Sequence, residues 1–297
     1  MVISAHNKNL TGYADFPGDT RTDVVYITDP RGWYIRYSHL DSIYPSIQPG
    51  VKVKKGEPIG LVGKKGASGG WVHLHFEIKN KETLSGEWEV EQAYAYAWEA
   101  YVNEYNPDLL AVARPHYLSY TGEEIVFDGR KSKSFGNGKL SYQWQFSDGE
   151  IVDAPVAIKK YEELGEYSEI LKVSDSNGNV DYDFSVVQVY NKEEPQKKIP
   201  TIQASFFPTV NIKAGEAVAF FVRTFNMHIG NEVFDFGDES PEILVKSNFV
   251  KKKEASKGKF AQTLHTFKKP GIYIVSVERE NENGFKATVH LKVEVKE

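Results

Sequence analysis

Three histidines set the chemistry this chain can do. His73 and His75 stand in an H-x-H pattern, His73-Leu74-His75-Phe76-Glu77, and His39 lies upstream in Tyr37-Ser38-His39-Leu40. Side chains alternate between the faces of a strand, so His73 and His75 share one face and Leu74 and Phe76 the other. Two strand rises separate the paired Cα atoms by about 6.5–7 Å. At that spacing both imidazoles reach one cation, or one binds a metal while its neighbour handles a proton. Leu74 and Phe76 are expected to anchor the strand in the core. The plain alternative is a half-exposed strand with two incidental histidines. A lone histidine would read that way; an in-register pair in a glycine-punctuated sheet, with His39 upstream, does not.

The elements that must position these side chains are short strands joined by glycine turns. Residues 22–30 and 32–40 read as two strands joined at Asp29-Pro30-Arg31-Gly32, where Pro fixes φ and Gly frees it. Residues 50–63 suggest two further short strands with turns at Gly50 and Gly56, and residues 71–80 alternate strictly as one strand. A helix follows over about 91–105. Tyr94, Trp98, Tyr101, Val102 and Tyr105 recur on one face, which reads as a core face. Asn106-Pro107 ends it.

Order, spacing and glycines here resemble the lysostaphin-type (LytM-like) metallopeptidases. That family carries a Y-x-H-L strand, a G-x-x-V-x-x-G-x-x-I-G-x-x-G stretch and H-L-H-F-E. This chain has Tyr37-Ser38-His39-Leu40, then Gly50, Val53, Gly56, Ile59, Gly60 and Gly63, then Gly66, Gly69, Gly70 and the H-x-H pair. The resemblance covers about residues 24–79. It implies a zinc endopeptidase that cuts cell-wall peptide cross-links. By the same resemblance His75 is the zinc ligand, His73 a catalytic histidine that helps activate the zinc-bound water, and His39 the one that stabilises the oxyanion. Peptidoglycan or a cell-wall peptide is the expected partner, and the cell envelope or extracellular space the expected location.

One part of the family pattern is missing. Two more zinc ligands normally come from an H-x-x-x-D motif on an earlier strand, and the chain has none. His6 and Asp15 are nine residues apart with Gly12 between, the wrong spacing. A catalytic zinc takes about three protein ligands. The chain is therefore expected to be a fragment of a peptidase domain or a degenerate pseudo-peptidase. Retention of His39 and His73 favours the fragment. Weak zinc binding and little or no peptidase activity are expected of it. The alternative is a non-catalytic protein that binds the envelope or activates a partner hydrolase.

Composition bounds the rest. The 297 residues are 40% hydrophobic with 17 Tyr, 17 Phe and no Cys. That is the profile of folded, sheet-rich domains without disulfides or thiolate metal sites. A net charge of -5 gives no sign of nucleic-acid binding. No apolar run reaches the roughly 20 residues that span a bilayer, and Met1–Asn9 has no apolar core of a signal peptide.

Beyond residue 111 the chain is duplicated. Trp144-x-Phe146-x-Asp148-Gly149, Gly165-Glu166-Tyr167 and Val173-x-Asp175-x-x-Gly178 recur as Phe234-x-Phe236-Gly237-Asp238, Gly271-Ile272-Tyr273, Val277 and Gly284. Such repeats are one fold used twice. They resemble PKD domains, which implies two Ig-like β-sandwiches. The second copy carries a Lys-rich insertion, 246–259, which could bind anionic wall polymers; a solvated loop is the simpler reading. His116, His228, His265 and His290 have no acidic or His partner at ligand spacing and read as structural. The hairpin pattern of biotinyl and lipoyl carriers also fits residues 50–63, but H-L-H-F-E has no place there.

The expected fold is mainly β: a partial lysostaphin-type antiparallel sheet domain of the duplicated-hybrid-motif kind over 1–82, a helix and connector packing on it over 83–111, sandwiches over 112–191 and 201–297, and a linker over 192–200.

Overall fold

The structure, a computed structural model, describes residues 1–13, 21–70, 72–81, 85–194, 197–249 and 259–297. It is mainly β, as composition and alternation imply. The chain divides into two units, one ending at Asn106 and one starting at Pro107.

The first unit holds β1 (Val2–Ala5), β2 (Lys8–Asn9), β3 (Val25–Thr28), β4 (Tyr34–Ser38), β5 (Leu40–Ile43), β6 (Gly60–Val62), β7 (His75–Lys81), β8 (Trp88–Glu91) and α1 (Tyr94–Tyr105). Six strands form an antiparallel sheet in the order β2-β1-β3-β4-β7-β8, and β5 pairs with β6 alone. The β3–β4 hairpin turns as its residues dictate. Asp29 Oδ1 accepts the N–H groups of Arg31 and Trp33 at 2.8 and 3.2 Å, and Gly32 takes φ +83°. Val2, Ala5, Val25, Leu40, Ile43 and Ile47 pack as one core. Ile3, Val24 and Tyr26 form a second cluster.

Three expectations need correction. Residues 51–59 form no strand; Val53 and Ile59 instead lay their side chains on the core from an irregular segment. The strand expected from Trp71 starts at His75. Its ladder with β4 begins at the Ser38–His75 pair, whereas the His73 N–H turns away to the Gly63 carbonyl, 3.2 Å off. Leu74 is consequently 41% exposed and anchors nothing in the core; Phe76 alone does, against Tyr37 with ring centres 5.3 Å apart. The helix forms, but none of its residues is buried. Its aromatics pack against one another at a tilt, Tyr94 against Trp98 and Tyr101 against Tyr105. Alanines and Tyr96 spread apolar surface round the rest of α1, so the periodic stripe selects no single inward face.

The second unit contains both sandwiches. In the first, Phe127, Trp144, Leu171, Val173, Val187 and Val189 are fully buried; in the second, Phe220, Phe234, Phe236, Phe267, Val275 and Val277 are. The repeat extends to hydrogen bonds. Tyr167 Oη donates to the Glu163 carbonyl at 2.9 Å, and Tyr273 Oη to that of Lys269 at 2.8 Å. Asp175 Oδ1 accepts the N–H groups of Asn177 and Asn179, and Asn281 Oδ1 those of Asn283 and Phe285. Strands Gly165–Asp175 and Lys286–Lys296 pair in parallel at Glu166 and Ala287, so one sheet runs through both sandwiches. Most of the Lys-rich insertion, residues 250–258, lies outside the described residues, as does Asp15.

Candidate functional site

Backbone pairing gathers the three histidines. The antiparallel register of β4 and β7 sets His75 opposite Ser38, one residue before His39. His39 sits at the corner between β4 and β5 with φ +67°, a left-handed conformation uncommon for residues other than glycine. Gly63 ties that corner to His73. Its N–H donates to the His39 carbonyl at 2.8 Å and its own carbonyl accepts the His73 N–H at 3.2 Å. A Cβ on Gly63 would lie 2.5 Å from the Asp41 nitrogen, so glycine is required there. The outcome is ring centres 4.8 Å apart for His39 and His73 and 5.8 Å apart for His39 and His75. All three imidazoles named from the sequence come together.

Their surroundings differ. His39 is 5% exposed. Its Nδ1 lies 2.7 Å from the Lys65 carbonyl, and its backbone N–H donates to Asp23 Oδ2 at 3.2 Å. Asp23 is itself gripped by Arg21, with Nε to Oδ1 at 2.9 Å and Nη2 to Oδ2 at 2.6 Å. Burial pushes the Asp23 carboxyl up, but the Arg21 hydrogen bonds and charge and the His39 N–H outweigh it and hold it below its ordinary value. His75 stays open to solvent on one side. The hydration it loses against the sheet, together with the nearby Arg36 charge, holds its pKa below the ordinary imidazole value despite Glu77. It is therefore neutral at pH 7, the form that offers a lone pair.

On the same face of β4 and β7, Arg36 and Glu77 lie opposite each other with Nη1 to Oε1 at 3.9 Å, and Lys79 Nζ stands 3.3 Å from that oxygen. The Ser38 hydroxyl is fully buried across from His75 and has no protein partner. Neither Asp23 nor Arg21 carries a spacing signal in the sequence. Their role follows from contacts with Gly66, more than 40 residues later.

The donor chemistry suits zinc, but the number of donors does not. Among the described residues no group of three His, Cys, Asp or Glu side chains is arranged to hold a metal ion. His6 lies just past β1, three strands from β7 or roughly 14 Å, and its Nε2 is 3.3 Å from the Tyr44 carbonyl. Asp23 is committed to Arg21. The described residues thus supply His75 and its two neighbours, short of a closed ligand set.

Peptidase family M23 matches residues 3–85, and the PKD domain family matches residues 110–189. The M23 family consists of peptidases and is generally metal-dependent. A 98-residue stretch is 37% identical to collagenase ColA of Clostridium perfringens (strain 13 / Type A), covering 30% of this chain and 9% of that protein. The chain thus spans less than a tenth of that relative's length. Among solved structures, the PKD1 domain of Vibrio anguillarum Epp is similar at 21% identity and a TM-score of 0.23, covering 28% of this chain and 92% of that one. The PKD domain from KIAA 1837 protein is similar at 23% identity and a TM-score of 0.25, covering 30% and 93%.

Proposed function

We propose that the first unit bears the active centre of a zinc-dependent endopeptidase that cuts peptide cross-links of the bacterial cell wall, and that the sandwiches space and present it. The single observation that carries this reading is the convergence of His39, His73 and His75 from separate segments onto one spot. Side chains without a shared task have no reason to be gathered through a glycine-only backbone bridge. In this reading His75 is the metal-binding imidazole. His73 takes a proton from the attacking water as a general base, and His39 donates a hydrogen bond to the oxygen that gains charge. The first role uses the lone pair of a neutral His73; the second requires a proton on His39 Nε2 as the oxygen gains charge, because the Nδ1–H is spent on the Lys65 carbonyl.

The short ligand set bears on rate and affinity. Zinc retention is expected to be weak and cleavage slow. A second reading, a non-catalytic protein that binds the envelope or activates a partner hydrolase, draws on that same shortage. An envelope or extracellular setting goes with either reading. No helix among the described residues is long and apolar enough to cross a membrane.

The test uses purified full chain, metal analysis after dialysis against graded zinc, and release of peptides from peptidoglycan and from a glycine-rich peptide. Slow cleavage that rises with added zinc and vanishes in His75→Ala is the expected result. Binding to peptidoglycan without cleavage at any zinc concentration would overturn the enzyme reading in favour of the second. Pull-down with wall polymer lacking peptide separates any contribution of the 246–259 insertion.

A further inference from the structure

We infer that Asp23 is the positioning residue of this site: clamped by Arg21 and covered by Gly66, it fixes His39 so that Nδ1 carries the proton and Nε2 is left for chemistry. The inference rests on the catalytic reading of His39 given above. Asp23 is 3% exposed and holds the corner with both its side chain and its main chain. Oδ2 accepts the His39 N–H at 3.2 Å, and the Asp23 carbonyl accepts the Leu40 N–H at 3.1 Å. A left-handed histidine is strained and persists only where neighbours over-determine it. These two bonds, with the Gly63 N–H on the His39 carbonyl, are that determination.

The ring is set by the same support. A carbonyl only accepts, so the 2.7 Å contact from Nδ1 to the Lys65 oxygen requires the proton on Nδ1 and leaves the lone pair on Nε2. Asp23 Oδ2 lies 3.8 Å from Nδ1 and adds negative charge on the side that favours this tautomer. The Lys65 carbonyl belongs to the turn at Gly66, which rests on the ion pair. A Cβ at Gly66 would lie 2.7 Å from Arg21 Nη2 and 2.8 Å from Asp23 Oδ2, at φ +67°. Arg21, Asp23 and Gly66 therefore act together on one ring through two routes, the backbone corner and the Lys65 carbonyl. A merely structural ion pair would stabilise the unit without selecting a ring nitrogen.

The test is long-range 1H–15N correlation spectroscopy of the full chain labelled at histidine, at neutral pH. In the unsubstituted chain His39 should show one tautomer, protonated at Nδ1. Asp23→Ala should convert it to a mixture resembling free imidazole. Asp23→Asn, which keeps an oxygen for the His39 N–H, should retain most of the preference. Gly66→Ala keeps the Asp23 carboxyl but crowds it and its Arg21 clamp and strains the turn that carries the Lys65 carbonyl, and should shift His39 in the same direction as Asp23→Ala. A single unchanged tautomer in both alanine variants, with the first-unit strands still paired, overturns the inference. Should Asp23→Ala fail to fold, Gly66→Ala and Arg21→Gln decide by the same criterion. Hydrolysis is read apart from the spectra, with kcat expected to fall about 10- to 100-fold in Asp23→Ala and KM to stay within about twofold. No hydrolysis by the unsubstituted chain would sink the catalytic reading and leave the tautomer result standing.

Discussion

Gly63 decides whether the three histidines meet. It has no side chain to contribute, yet both of its backbone groups are spent holding His39 and His73. Replacing it by alanine would put a methyl 2.5–2.7 Å from the Asp41 backbone and side chain. Backbone of that kind cannot give way cheaply, so β5 and β6 must separate or the His39 corner must move. Gly63→Ala is expected to cost about 1–3 kcal/mol of first-unit stability, seen as a lowered unfolding midpoint, and to abolish the zinc-dependent cleavage. A variant with unaltered midpoint and activity would show that the bridge is dispensable. The histidines were legible in the sequence through the H-x-H and Y-x-H-L motifs, although His73 precedes β7 and is placed by its bond to Gly63 rather than by strand alternation. Their supports were not. Arg21-x-Asp23 is an ordinary charge pattern, and its meaning arises from Gly66 and Lys65, brought over it by the loop that leads to β7.

At the level of elements, alternation and turn chemistry were reliable where pairing is local and misleading where it is not. The β3–β4 hairpin is readable because Asp29, Pro30 and Gly32 carry their own geometry. The start of β7 is not, since the Gly63 carbonyl takes the His73 N–H and the strand begins at His75, four residues later than alternation implies. α1 is legible as a helix, ended by Asn106 in the left-handed region with its N–H on the Val102 carbonyl, but its environment is not. Among the described residues, its polar ties to the rest of the first unit are the Lys55–Glu99 ion pair at 2.8 Å and Arg31 near Tyr96 at 3.4 Å, all exposed. Exposed pairs of this kind contribute roughly 0–1 kcal/mol, and an isolated helix shorter than about 12–15 residues is marginal in water. Amide hydrogens of α1 are therefore expected to exchange with an opening free energy near 1 kcal/mol or less. Those of strand Gly165–Asp175 should stay protected to the global limit of their unit. Hydrogen exchange with mass spectrometry checks this, and slow exchange across Trp98–Tyr105 would contradict it. Asn106→Gly, which relieves the left-handed C-cap, should slow exchange in the last turn.

Across the larger unit, the duplication was readable because Gly165, Tyr167, Asp175 and Gly178 recur 106 residues later as Gly271, Tyr273, Asn281 and Gly284. The fusion of the two sandwiches was not, because it is made by single residues on outward faces. Gly165 must be glycine, since a Cβ would lie 2.7 Å from the Lys286 carbonyl. Glu166 Oε1 accepts the Ile202 N–H at 2.9 Å, and Lys292 pairs with Asp181 at 2.6 Å. Beside them His290, on the strand that carries the junction, faces the Phe184 ring at 5.5 Å and has no partner on Nδ1. Burial lowers its pKa to about 4, from an ordinary 6.5. The unfolded chain therefore takes up a proton first as pH falls. The stability tied to neutral His290 is complete above pH 6.5 and is lost between there and about pH 4, amounting to about 3 kcal/mol. Urea unfolding of the full chain, followed in the second unit, should show this loss between pH 7 and 4 in excess of that seen in His290→Gln, which cannot titrate. Carboxylates common to both proteins cancel in the difference. Equal pH dependence in the two would mean that protonated His290 finds solvent without loosening the junction.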